Sequence, residues 1–150
     1  MPATYNGLIF DTRLQAEWAA FFDIAGWVWS AHPAPIGNWR PDFKASFPCR
    51  HSECRSEHTL LISVLPVEEI SSVAGHPALT HRYIVRDRNG SFLADAGALF
   101  GSNPATSQWE MSHGSGGGTE DISNWVDQPM QLWSVAFSKV LLDNPAVYRG

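Results

Sequence analysis

Lysine is nearly missing from this chain: Lys44 and Lys139 are the only two among 150 residues. Ten basic side chains face fifteen acidic ones, for a net charge of −5. That balance argues against strong sequence-independent DNA binding, which depends on Lys and Arg neutralising phosphates. A local basic patch stays compatible with it. Cysteine is equally scarce; Cys49 and Cys54 do not make a disulfide framework. No apolar run approaches the eighteen residues of a membrane span. The first ten residues lack a basic region followed by an apolar stretch, so no signal peptide is read there. An intracellular, cytoplasmic protein with no membrane association is the expectation. Repeats and long low-complexity tracts are also lacking.

What the chain has in excess is tryptophan, seven residues, which implies a heavy core or an adhesive surface. The length fits one domain, 1–150. Thr12 and Gln15 fit a capping box and Gly26 a C-terminal stop, predicting a helix from Thr12 to Ala25. Leu14, Trp18, Phe21, Phe22 and Ala25 form its apolar stripe. Short strands are expected at 27–29 and 38–47, separated by a proline-rich loop at 32–37. The run TLLISVLPV (59–67) reads as a strand buried on both faces. A short helix is expected within 67–73. A hairpin, 81–87 with 91–100, turns at Asn89-Gly90, and another strand covers 107–112. HGSGGG (113–118) reads as a mobile loop, since it lacks the Lys and Ser/Thr of a phosphate loop. His113 and Glu110 lie near the sheet end, with nothing in the sequence to fix their geometry. A last helix is expected from Asp127, its cap, to Leu142, with Trp133, Ala136, Phe137, Val140 and Leu141 inward. Trp125 and Trp133 read as core. Alternation cannot bury all of Trp27, Trp29 and Trp39 on one face, so one exposed anchor is expected among them. The fold class is α/β or α+β, a central mixed sheet flanked by helices.

Two carboxylates stand out. Glu17 lies at the edge of the helical stripe, where a carboxylate needs a base, a donor or a metal, and a half-exposed salt bridge is the common solution. Asp42 follows Pro41, and strand alternation puts it on one face with Lys44; an Asp capping a turn is the common reading.

The stretch YNGLIFDTRLQAEWAAFFDIAGWVW followed by WRPDF resembles the opening of small phage and mobile-element proteins of the PD-(D/E)XK nuclease superfamily. FPCRHSECRSEHTLLISV, GHPAL, ALFGSNPATSQWEMSHGSGGG and NWVDQPMQLW also resemble members, so the likeness runs along most of the chain. It implies a restriction-endonuclease-like fold. That family pairs a helix Glu with the Asp of a Pro-Asp strand and an E-x-K on the next strand, which together hold Mg²⁺ and position water. Glu17 and Asp42 match the first two positions. Ser63 and Leu65 stand where Glu and Lys are called for, and neither can replace them: Ser is a poor Mg²⁺ ligand and Leu carries no charge. The likeness therefore implies a degenerate, catalytically impaired member that acts by binding. Its partner would be a protein or protein–nucleic-acid complex of a host nucleic-acid defence, of the anti-CRISPR or anti-restriction type. Acidic side chains from Asp87, Asp95, Glu110, Glu120, Asp121 and Asp127 are candidates for the contact. The alternative is an active Mg²⁺-dependent nuclease in which Lys44, or Glu68 and Glu69, replaces the lost groups.

Cys49, His51, Cys54 and His58 fall within ten residues of a polar excursion, 48–58, near the spacing of structural Zn²⁺ ligands. Free thiols with surface histidines, or a Cys49–Cys54 disulfide, are the competing readings; Glu53 and Glu57 read as solvated. A zinc-stabilised accessory module is a third functional class.

Overall fold

The capping box forms as its residues demand. Thr12 Oγ1 accepts from the Gln15 amide at 3.2 Å and Gln15 Oε1 accepts from the Thr12 amide at 3.3 Å, opening helix α1 (Arg13–Ala25). Gly26 closes it at φ 80°, the left-handed backbone that glycine adopts without a Cβ clash. Ahead of it stands a hairpin not expected from the sequence, β1 (Ala3–Tyr5) and β2 (Leu8–Phe10), turned by Asn6-Gly7 with both φ positive. The computed structural model describes residues 2–49, 57–113 and 116–145.

A six-stranded mixed sheet forms the centre. It comprises β3 (Val28–Ala31), β4 (Phe43–Pro48), β5 (Glu57–Val64), β8 (Ala96–Phe100), β9 (Ser107–His113) and β10 (Gly116–Glu120). The spatial order is β10-β9-β8-β5-β4-β3; β5 and β8 pair in parallel and the other neighbours antiparallel. Between β5 and β8 come a 3₁₀ turn (Ile70–Val73), the short α2 (Pro77–Thr80) and a small ribbon of β6 (Val85–Arg86) with β7 (Phe92–Ala94). The chain continues to α3 (Pro129–Asp143). No helix among the described residues is long and apolar enough to cross a membrane.

Alternation along β5 sorts two apolar layers. Leu60, Ile62 and Val64 face the layer of α1 and α3, while Leu61 faces the layer of α2. Trp18 anchors the first layer: its ring lies 4.7 Å from Phe100 and 4.7 Å from Trp133, and its indole N–H donates to the Gly101 carbonyl at 2.9 Å. Trp39, Leu61, Ala78, Val85, Ala94 and Leu99 build the second. Gly97 permits α2 to lie directly on β8, since a Cβ there would stand 2.5 Å from the Ala78 carbonyl oxygen.

Several boundaries differ from expectation for local reasons. The strand expected at 38–47 starts only at Phe43, because Ile36 and Trp39 close a bridged turn and Pro41 has no N–H to pair. β5 stops at Val64, ahead of Pro66. Tyr83 and Ile84 take φ of 54° and 87°, so the expected 81–87 strand shrinks to two residues. The expected 91–100 strand divides at Asp95 into β7 and β8, which belong to different sheets. Within the expected loop at 113–118, β9 runs through His113 and β10 begins at Gly116, and the two strands pair antiparallel. Asp127 does not cap α3; Gln128 occupies that position at φ 50° with no side-chain bond, and Pro129 opens the helix. Trp133, Ala136 and Val140 face inward as expected. Phe137 is exposed instead, with the Arg13 guanidinium 4.6 Å over its ring. Trp27 and Trp39 are buried and Trp29 half-buried, donating to Asp23 at 2.7 Å, so none of the three is a freely exposed anchor.

Candidate metal centre

The fold places each of the residues expected for a nuclease site. Glu17 is buried on α1 and its Oε2 accepts from Arg13 Nε at 3.0 Å, one helical turn back. Burial raises its pKa and the Arg13 charge pulls it back down. Asp42 lies just before β4 and has left the strand's alternation. Its Oδ2 accepts from the Val64 amide at 2.8 Å and its Oδ1 from Gln15 Nε2 of α1 at 3.1 Å. Burial likewise raises its pKa, while the Val64 hydrogen bond opposes the rise. Lys44, by contrast, pairs across from Leu61 and is exposed on the α2 face of the sheet. The expected sharing of one face by Asp42 and Lys44 is therefore not found.

Ser63 and Leu65 also belong to the α2 layer. Ser63 Oγ accepts from the Trp39 indole N–H at 2.8 Å, and Leu65 packs half-buried on the cluster of Trp39, Leu61 and Leu99. Glu17 rides on the helix that covers the opposite face. Glu68 and Glu69 are exposed beyond the strand. A hard divalent cation wants several charged oxygens converging on one point. Here the two carboxylates already hold Arg13, Gln15 and a backbone amide, and the third position is a hydroxyl in another layer. These residues do not fit Mg²⁺.

The raised carboxylates carry a pH prediction. A group whose pKa is higher folded than unfolded favours folding while protonated, and that contribution is lost as pH rises through the folded value. Asp42→Asn is expected to reduce the decline in stability between about pH 4 and pH 7, the range beginning at the ordinary carboxylate pKa. Urea unfolding at both pH values measures it. An unchanged slope would assign the decline elsewhere.

A second set of side chains does converge. Cys49 follows the end of β4, His58 opens β5 opposite Phe47, and His113 ends β9. One donor atom from each lies within 4.8 Å of the others. Cys49 Sγ is 3.3 Å from His113 Nε2. Two ligands of one tetrahedral zinc stand about 3.5 Å apart, from bond lengths of about 2.3 Å to sulfur and 2.0–2.1 Å to nitrogen. These three residues therefore lie close enough to bind a metal ion.

The surroundings suit that use. His58 is buried, and its Nδ1 lies 3.6 Å from Asp95 Oδ2. The same oxygen accepts from the Thr59 amide at 2.7 Å, which fixes the carboxylate. A carboxylate behind one ring nitrogen leaves the other for a metal and sets the ring's orientation. Burial depresses the His58 pKa, but the neighbouring Asp95 carboxylate and Cys49 thiol outweigh it and the net shift is upward. Trp125 walls the cluster, its ring 5.3 Å from His58 and 5.2 Å from His113.

Of the four zinc ligands expected from the sequence, Cys49 and His58 come together. His51 and Cys54 lie outside the described residues, and so does the test of a Cys49–Cys54 disulfide. His113 is the member of this cluster that the sequence reading missed. Its signal was strand parity: it lies two residues beyond buried Met111, at the same parity of β9. Compared with protein-family models, curated proteins and solved structures, the chain matches none.

Proposed function

We propose that this chain acts by binding and not by cutting nucleic acid. On this reading it is a degenerate PD-(D/E)XK-type protein of phage or mobile-element origin, its strand ends locked by zinc. The order of elements supports the family part: a helix bearing Glu17, then Asp42 just before β4, then Ser63 on the next strand. The observation that carries the loss of catalysis is the Trp39–Ser63 hydrogen bond. It ties the hydroxyl at the expected Glu position into the layer opposite α1. Zinc follows from the donor chemistry, since one thiolate and two imidazoles favour it over oxygen-seeking cations.

The partner on this reading is a protein or protein–nucleic-acid complex of a host nucleic-acid defence, met in the host cytoplasm. The net charge of −5 favours a basic partner surface over DNA itself. Incubation with DNA and RNA in Mg²⁺ or Mn²⁺ is expected to give no cleavage above background. Cleavage that disappears in Asp42→Ala would overturn the proposal. Affinity capture from host lysate should recover a defence complex, while recovery of nothing would leave the zinc-stabilised accessory module as the better reading.

A further inference from the structure

The α2 side of the sheet carries a cleft of about 680 Å³ between two locked turns. One wall is the proline-rich segment 33–37, held because Ile36 and Trp39 exchange backbone hydrogen bonds of 2.8 and 3.0 Å. The other is the turn joining β6 to β7. There Asp87 Oδ1 accepts from the amides of Asn89 and Ser91 at 2.8 and 2.9 Å, and Arg86 Nη1 donates to the Gly90 carbonyl at 2.9 Å. Leu61, Leu93 and Ile36 supply apolar lining, and Lys44, Arg86 and Arg88 bring cations to it. Among the described residues, no hydrogen bond or ion pair engages the side chain of Lys44 or of Arg88. The one acid present, Asp87, already binds two amides of its own turn. An acidic chain with ten bases thus gathers three at one preformed concavity, one of them half of its lysine.

We propose that this cleft binds a small organic phosphate of nucleotide size. The phosphate sits between Lys44 and Arg88, and the flat or apolar body of the ligand lies against Leu61 and Leu93. The volume falls in the range of small-ligand sites, roughly 300–1,000 Å³. Free cations beside an apolar floor match a ligand with a charged head and an apolar body. The Arg fork and Lys point charge together suit phosphate oxygens. The inference does not depend on the absence of nuclease activity or on zinc.

The test is calorimetric titration of the full chain with ADP, adenosine and inorganic pyrophosphate. ADP is expected to bind, adenosine to bind at least tenfold more weakly, and pyrophosphate to fall between them. Lys44→Ala and Arg88→Ala should each weaken ADP binding about tenfold, the usual effect of removing one charge-assisted hydrogen bond. Both side chains are exposed, so unchanged melting temperatures should accompany the loss. Added salt should weaken binding. No binding of ADP at millimolar concentration would overturn the inference. So would equal affinity for adenosine and ADP, or full affinity in the double variant. Binding of a hexaglutamate peptide without binding of ADP would also overturn it, assigning the cations to a protein partner.

Discussion

Replacing His113 by alanine is expected to release bound zinc and lower the melting temperature by about 10 °C. The proposed ligand set joins the end of β4 and the nearby start of β5 to the end of β9, more than fifty residues further along the chain. An ion that binds only the folded chain stabilises it by about 4 kcal/mol when present at a thousand times its Kd. In a domain of this size each kcal/mol moves Tm by roughly 2–4 °C. Chelator should produce the same drop in the wild type and no further drop in the variant. Asp95→Asn is the gentler probe. It keeps the shape but removes the charge behind His58 Nδ1, and should weaken zinc about 10–100-fold. A His113→Ala protein that keeps one equivalent of zinc would remove this residue from the site.

Ser63→Glu carries the next largest effect. In a live nuclease of the resembled type, restoring Glu at this position would help to rebuild the metal site. Here the side chain points at Trp39 within the closed layer of Leu61 and Leu99. A carboxylate placed there has no cation to meet, and the larger side chain must displace packed neighbours. The expected cost is about 3 kcal/mol or more, read by urea unfolding. The double variant Ser63→Glu/Leu65→Lys should show no Mg²⁺-dependent cleavage. Ser63→Ala isolates the hydrogen bond and should cost about 1–3 kcal/mol, the penalty for leaving the buried indole N–H without its acceptor. A stable Ser63→Glu protein that cleaves DNA would put position 63 on the same face as Glu17.

Helix α1 was fully legible because its signals are local: Thr12 and Gln15 answer each other across one turn, and Gly26 needs only its own backbone freedom. The Asn89-Gly90 turn and β5 were legible for the same reason. What failed was decided by tertiary context. Asp42 obeys alternation only while it stays in a strand. The Pro41 bend releases it, and its carboxylate turns to Gln15 and the Val64 amide, away from Lys44. The split at Asp95 depends on Thr59, thirty-six residues away, accepting and donating at that point. HGSGGG reads as a loop by composition, yet Gly116, Gly117 and Gly118 extend along β9 as an edge strand. The metal cluster was half legible. Cys49 and His58 lie close in the sequence, whereas His113 is brought to them by the β5-β8-β9 order, a non-local fact. The Asn6-Gly7 turn of the first hairpin carries a local signal of the same kind.

X-ray absorption at the zinc edge, on protein purified without added metal, tests the proposed metal centre. About one zinc per chain is expected, bound by at least one sulfur at about 2.3 Å and imidazole nitrogens at about 2.0–2.1 Å. Cys49→Ala should lose the sulfur component contributed by that residue. A folded protein with no metal, or one whose metal has a shell of oxygen alone, would contradict the proposed centre.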